Sequence, residues 1–380
     1  MSRIKNYKMN LHVLSPVHIG GAEYKSKLTT KEYIYDRRKK ILTIIDANKF
    51  TDLLIKRNLF DTYIDYIQER VNTSKKEQNR KADIRTFIQQ HKLEAQIPSI
   101  AAKEYKNLEI DTENERLNNI NLVVKDAYGE PYIPGSSIKG AIITSLLVDY
   151  IISHRNEFRD NIANILKAAR KVQSDRDIHD YKKLVSREVS TIENLILYGT
   201  PKAPKVKRFG LSVSDTYRSE KLETCFLQDI DEKVKDGNLQ PMPLAREYIA
   251  PGSRLFCDIS LDFDRFKESK LKIEHMNDVL DAIERASSYL TTTSIPYVRE
   301  ELDLILGANT GFHQKTVVHA LFDQEKERLD VVRKLLHKNS KNKITNHLND
   351  KHAPRVINRV VWDTYEELAG VVQLTIVEEE

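Results

Sequence analysis

The chain has 380 residues, 40% of them hydrophobic and 31% charged, with a formal net charge of +5. That length allows two ordinary domains, and the composition excludes a collagen-like or wholly disordered chain. The mild basic excess favours an anionic partner only weakly. Two cysteines, Cys225 and Cys257, lie far apart with no metal-spaced companions, which fits reduced thiols. Met1 to Met9 is polar, with no apolar core of a signal peptide, and no run approaches the ~20 apolar residues of a membrane span. A cytoplasmic protein with no cofactor and no membrane contact is expected.

Lys8 to Leu14 alternates as a half-buried strand and ends at Ser15-Pro16, before a Gly20-Gly21 turn. Glu32 to Asp36 and Lys40 to Ile45 read as a hairpin. Asp46 or Asn48 can cap a helix carrying Phe50, Leu53, Leu54 and Ile55. Residues 70–120 are polar and predict an inserted, mostly helical segment. From Tyr132 a glycine- and serine-rich loop, Ile133-Pro-Gly-Ser-Ser-Ile-Lys-Gly140, runs into an apolar helix towards Ile152. A second polar helical insertion spans roughly 155–198. Pro201 to Arg208 is a basic, proline-punctuated connector, and Phe209 to Asp215 alternates as a strand.

The second half repeats this grammar. Glu247 to Ser253 leads into an alternating strand, Arg254 to Phe263, and then into a periodic helix from about Asn277 to Tyr289. A second glycine-rich loop, Gly307 to Thr316, precedes more helix, a basic segment runs from Arg333 to Arg359, and Val371 to Val377 closes as a strand. Strands with helices interposed, twice over, predict an α+β fold of two modules. The natural candidate is two tandem ferredoxin-like (RRM-like) domains: 1–215, with helical insertions at about 50–130 and 150–205, and 216–380.

Four strings together carry a resemblance: Ser15-Pro-Val-His-Ile-Gly20, Tyr132 to Gly140, Ser212-Val-Ser-Asp215 and Tyr248-Ile-Ala-Pro-Gly-Ser253. In them the chain resembles the RAMP superfamily of CRISPR proteins, and within it the fifth Csm-series subunit of type III-A effector complexes. The resemblance implies glycine-rich loops that touch guide RNA and a place capping the complex near the guide's 3′ end. It further implies docking on other Csm-series subunits, above all the adjacent backbone subunit, and support of guide RNA maturation, in which a host nuclease would be a partner. Such a subunit is not itself regarded as the nuclease.

Residue chemistry gives the candidate RNA contacts. In the first loop Gly135 lets a backbone approach closely, Ser136 and Ser137 offer hydroxyls, Lys139 offers a charge, and the helix start suits a phosphate. An ordinary turn with serine capping uses the same residues. The loop lacks the spacing of a nucleotide-binding P-loop. Gly307, Thr310, Gly311 and Lys315 repeat the recipe, against a helix C-cap and a turn. Gly20 and Gly21 follow shortly after His18, which is either a packing histidine or, in a rival reading, the general base of a metal-independent endoribonuclease processing guide precursors. Lys205, Lys207 and Arg208 crowd the connector. Eight Lys or Arg face the single acid Asp350 between Arg333 and Arg359, as sequence-independent phosphate binding requires. No catalytic residue and no metal site is expected.

Overall fold

The opening strand, β1 (Ile4–Val13), buries Tyr7, Met9, Leu11 and Val13 on one face, as its period of two requires. After β2 (Lys27–Leu28) comes the hairpin of β3 (Tyr33–Asp36) and β4 (Ile41–Ile45). α1 (Ala47–Lys56) starts where the Asp46 carboxylate accepts from the N–H groups of Asn48 and Lys49. α2 (Phe60–Val71), α3 (Ile84–Gln90), α4 (Ile97–Ile100) and β5 (Ala101–Tyr105) complete a satellite with its own apolar cluster around Phe50, Leu54 and Phe87. The computed structural model describes residues 4–21, 26–71, 83–106, 108, 119–172, 174–202, 204–205, 209–218, 220–293, 304–308, 310–337, 346–363 and 365–379.

β6 (Ile120–Asn121) precedes three helices, α5 (Gly135–His154), α6 (Arg159–Lys171) and α7 (Asp175–Tyr198). There follow β7 (Leu211–Val213), β8 (Thr224–Lys233), β9 (Leu239–Ile249), β10 (Arg254–Asp262), α8 (Phe263–Phe266), α9 (Met276–Thr293) and β11 (Leu304–Ile305). α10 (Glu325–Leu336), β12 (Val356–Trp362), β13 (Tyr365–Glu367) and β14 (Val371–Glu379) end the described chain.

The mixed α and β content is as expected, with strands in sheets of five, six and three. The five-stranded sheet runs β11-β14-β1-β10-β7, antiparallel throughout. Without its insertions, β1-α5-β7-β10-α9-β14 is a βαββαβ unit. Its strand order is the ferredoxin-like one, fourth, first, third, second. The division at residue 215 does not follow the pairing. β1 lies between β10 and β14, and the six-stranded sheet β13-β12-β8-β9-β6-β2 likewise joins strands from both halves. α9 and α10, expected in a module of their own, bury Val279, Ile283 and Val331 in the cluster that holds Met9, Leu11 and Ile142.

The insertions also depart from expectation. β5 stands inside the segment expected to be helical, pairing with β4. The 150–205 segment is helical but is no polar appendage: Ile165, Tyr181, Ile192 and Ile196 are buried in the main cluster. Apolar residues at helical spacing within a polar text leave a stripe that must be covered. α5 is apolar and long enough to match a membrane span by composition, but Ile138, Ile142, Leu146 and Ile151 pack into that same cluster.

Candidate nucleic-acid interface

The segment after β1 crosses from the five-stranded sheet to the six-stranded one, and both glycine-rich loops lie beside it. Val17 bridges Ile249 of β9, Gly20 bridges Val123, and the Val124 N–H donates to the Ile19 carbonyl at 2.7 Å. On its other side the Ala308 N–H donates to the His18 carbonyl at 2.8 Å. Gly307 sits at φ +86°, and a Cβ there would fall 2.1 Å from that carbonyl oxygen, so only glycine lets the loop close on residue 18. The loop of 132–140 is one strand further out: Lys125 bridges Pro131, and the Tyr132 N–H donates to the Val124 carbonyl at 3.4 Å.

Glu247 ties these pieces together. Its carboxylate accepts from Lys125 Nζ at 3.0 Å and from the Val123 N–H at 3.3 Å, while its carbonyl lies 2.7 Å from His18 Nδ1. A carbonyl only accepts, so Nδ1 carries the proton. The His18 side chain is 2% exposed and edge-on to Tyr248 at 5.6 Å. Burial pushes its pKa down to about 4, against the raising effect of the Glu247 carbonyl, so the ring is neutral at pH 7. The adjacent Arg246 donates to Asp229 at 2.7 Å, and Asp229 also accepts from the Tyr248 hydroxyl at 2.8 Å. Lys125, Arg246, Glu247 and Asp229 escaped the sequence reading. Glu247 opens one of the quoted strings, but nothing in the text joins it to Lys125.

The candidate residues fall into two groups. His18, Gly135 and Thr310, proposed from sequence as RNA contacts, are buried. Gly135 stands where a Cβ would lie 2.4 Å from the carbonyl oxygens of Val213 and Ser214. Its N–H donates to the Asp215 carboxylate at 2.8 Å, so the first donor of α5 is already taken by an acid. The Thr310 hydroxyl donates to the Gly307 carbonyl at 3.1 Å. Gly20, Ser136, Gly311 and Lys315 are exposed, and Gly21, Ser137 and Lys139 half-exposed.

Neither Lys139 nor Lys315 has a carboxylate partner among the described residues. Partial desolvation, and then the Arg246 charge, hold the Lys315 ammonium below its ordinary pKa. Just before the 132–140 loop a tight turn presents Tyr128, 92% exposed, with the Asp126 carboxylate accepting from the N–H groups of Tyr128 and Glu130. Lys205 is exposed but precedes β7 at the end away from Gly135, and Lys207 and Arg208 lie outside the described residues.

The basic segment of 333–359 is largely neutralised. Arg333 and Lys334 pair with Asp330, Arg355 with Asp350, and Arg359 with the Glu232 carboxylate at 2.7 Å. Lys351 is its one described cation without a partner among the described residues, and Lys338, Lys341 and Lys343 lie outside them. No group of three or more His, Cys, Asp or Glu suited to a metal occurs among the described residues.

The chain is similar to known proteins over most of its length. The chain is 25% identical over 327 residues to the CRISPR system Cms protein Csm5 of Streptococcus thermophilus, covering 82% of this chain and 80% of that protein. It is 25% identical over 359 residues to Csm5 of Enterococcus italicus, covering 86% and 84%. Its fold matches a chain of the cryo-EM structure of a Csm–crRNA–target RNA ternary complex of a type III-A CRISPR-Cas system, with a TM-score of 0.60 at 19% identity, covering 98% of this chain and all of that one. The crystal structure of T. onnurineus Csm5 matches with a TM-score of 0.54 at 20% identity, covering 82% and 92%. The RAMP superfamily profile matches residues 10–312, most of the chain, and the chain therefore belongs to the RAMP superfamily.

Proposed function

We propose that the chain is a non-catalytic subunit of a type III-A CRISPR effector, which holds guide RNA by its sugar–phosphate backbone and caps the complex near the guide's 3′ end. Its likeness to Csm5 over more than four-fifths of its length supports that assignment. The RNA would lie along Gly20, Gly21, Ser136, Ser137, Lys139, Gly311 and Lys315, with Tyr128 stacking on a base. Lys205, Lys207 and Arg208 would take a further stretch of backbone. The other Csm-series subunits, the adjacent backbone subunit first, are its protein partners, and a host nuclease would act on the guide it presents.

The observation that carries this reading is the pair of lysines without carboxylate partners among the described residues, Lys139 and Lys315, on loops joined through residues 18–20 and 123–132. A phosphate held there releases counterions whatever the base, which suits a guide whose sequence varies. Against the endoribonuclease alternative stands the burial of the His18 ring, 2% exposed, which keeps a substrate hydroxyl from reaching it.

The test uses purified protein and an end-labelled guide RNA carrying a repeat-derived tag, run on native and denaturing gels with EDTA or magnesium. Shifted, intact RNA is expected in both. The Lys139→Ala, Lys315→Ala double substitution should weaken binding for every RNA sequence and reduce the salt slope by about 2. Unchanged affinity and slope in the double variant would refute the loop assignment. Cleavage that disappears in His18→Ala would replace the whole reading with the nuclease.

A further inference from the structure

A cavity of about 300 Å³ lies between the C-terminal end of α9, the first turns of α10 and the segment leading into β12, with His313 of the Gly307–Thr316 loop in its lining. That volume is at the lower end of small-molecule pockets. Lys351 and His352 are exposed at its mouth, Arg328 is half-buried, and His313, 5% exposed, lies deepest. Glu325 is the one carboxylate among its lining residues.

Two side chains in this lining are incompletely satisfied. Arg328 donates through a single nitrogen, Nη1, to the Tyr289 hydroxyl at 3.3 Å and the Phe322 carbonyl at 3.4 Å. Its Nε and Nη2 have no partner among the described residues, and no carboxylate pairs with it there. His313 Nδ1 is buried without a hydrogen-bond partner among the described residues. Buried polar atoms are rarely left so unless something else completes them. Elsewhere in the lining the hydroxyls of Thr291 and Thr292 donate to the Ser288 carbonyl at 2.8 and 3.0 Å, which leaves them only acceptor capacity for a ligand.

The lining thus supplies positive charge and N–H donors in the fork geometry that suits a phosphate, together with acceptors for ribose hydroxyls. We propose that this cavity is a second ligand site of the chain, built for a phosphorylated ribose carried either by a free nucleotide or by the end of an RNA strand. Arg328 holds the phosphoryl group with Lys351 and His352 closing over it, His313 completes the floor, and Thr291 and Thr292 accept from the sugar. The site stands whether or not the loops at Ser136 and Lys315 hold guide RNA.

The test is a titration of the full-length protein with 5′-AMP, followed by equilibrium dialysis of the labelled nucleotide. Saturable binding is expected, weakened at least about tenfold by Arg328→Gln, the loss of one charge-assisted contact. His352→Ala, at the exposed mouth, should weaken it several-fold; it decides the matter alone if the Arg328 variant fails to fold by circular dichroism. Competition with a short RNA ending in a 3′-phosphate or a 3′-hydroxyl then separates the sources. Preferential displacement by the phosphorylated end assigns the site to an RNA terminus, and the lack of any preference assigns it to a free nucleotide. No saturable AMP binding, or binding that survives both substitutions, overturns the proposal.

Discussion

At the scale of single residues, Gly307 shows how much one missing methyl can decide. Alanine there would carry a left-handed backbone at φ +86° and place its Cβ 2.1 Å from the His18 carbonyl oxygen. Gly307→Ala should cost about 2 kcal/mol or more and lower the melting temperature by several degrees, read by thermal and urea unfolding. Stability equal to that of the parent would mean that the loop can leave residue 18 freely. The sequence offered Gly307 as a loop glycine or a helix C-cap; it follows the strand β11 instead, and its partner is remote along the chain. Residue types announced donors and charges at Ser136, Lys139 and Lys315. Which side chains face solvent depends on neighbours brought in by the fold, so Thr310 and Lys315 looked alike on paper while one is buried and the other exposed.

At the scale of elements, the start of α5 is fixed from a distance. Pro134 leads in without a side-chain cap of its own, and Asp215, beyond the end of β7, supplies the acceptor for Gly135. Asp215→Ala should destabilise by about 1 kcal/mol, the usual cost of a lost cap. It should leave RNA affinity unchanged or raise it, because a negative charge beside Ser136 disappears; a gel-shift titration that showed clear weakening would contradict the phosphate role of this loop. Alternation made β1 and β10 legible, and a long apolar run made α5 so. β5 was not, since Ala-Ala-Lys-Glu-Tyr alternates poorly, and its hydrogen bonds to β4 hold it in strand form. α6 and α7 were seen as helices, but their polar majority concealed stripes that complete the main core.

For the whole molecule, acid should be destabilising in a defined window. Burial lowers the pKa of His18 and His313 to about 4 and that of His319 to about 3, so all three are neutral when folded at pH 7. The unfolded chain protonates them near 6.5, the ordinary histidine value. Between there and about pH 4 the unfolded state therefore binds more protons, and stability falls as the pH falls, by up to about 1.4 kcal/mol per unit for each ring. Urea midpoints should be flat from pH 8 to 7 and drop steeply from pH 6.5 to 4. A His313→Gln, His319→Gln double variant should show a shallower drop; a slope identical to the parent's would assign the acid sensitivity elsewhere.

The two-module reading fell short at this scale because sequence order suggests local pairing, whereas β1 takes its neighbours from β10 and β14. That placement has a kinetic side. During synthesis the first strand emerges without either neighbour, and its apolar face, Tyr7 through Val13, must wait for hundreds of later residues. The satellite around Phe50 and Phe87 is complete by residue 105 and can form early. The central sheet closes only when residues 371–379 are free of the ribosome, a high-contact-order final step that is intrinsically slow. Until that moment the nascent chain carries an open, adhesive strand edge, and its yield in the cell should depend on whatever shields that edge while the polypeptide is unfinished.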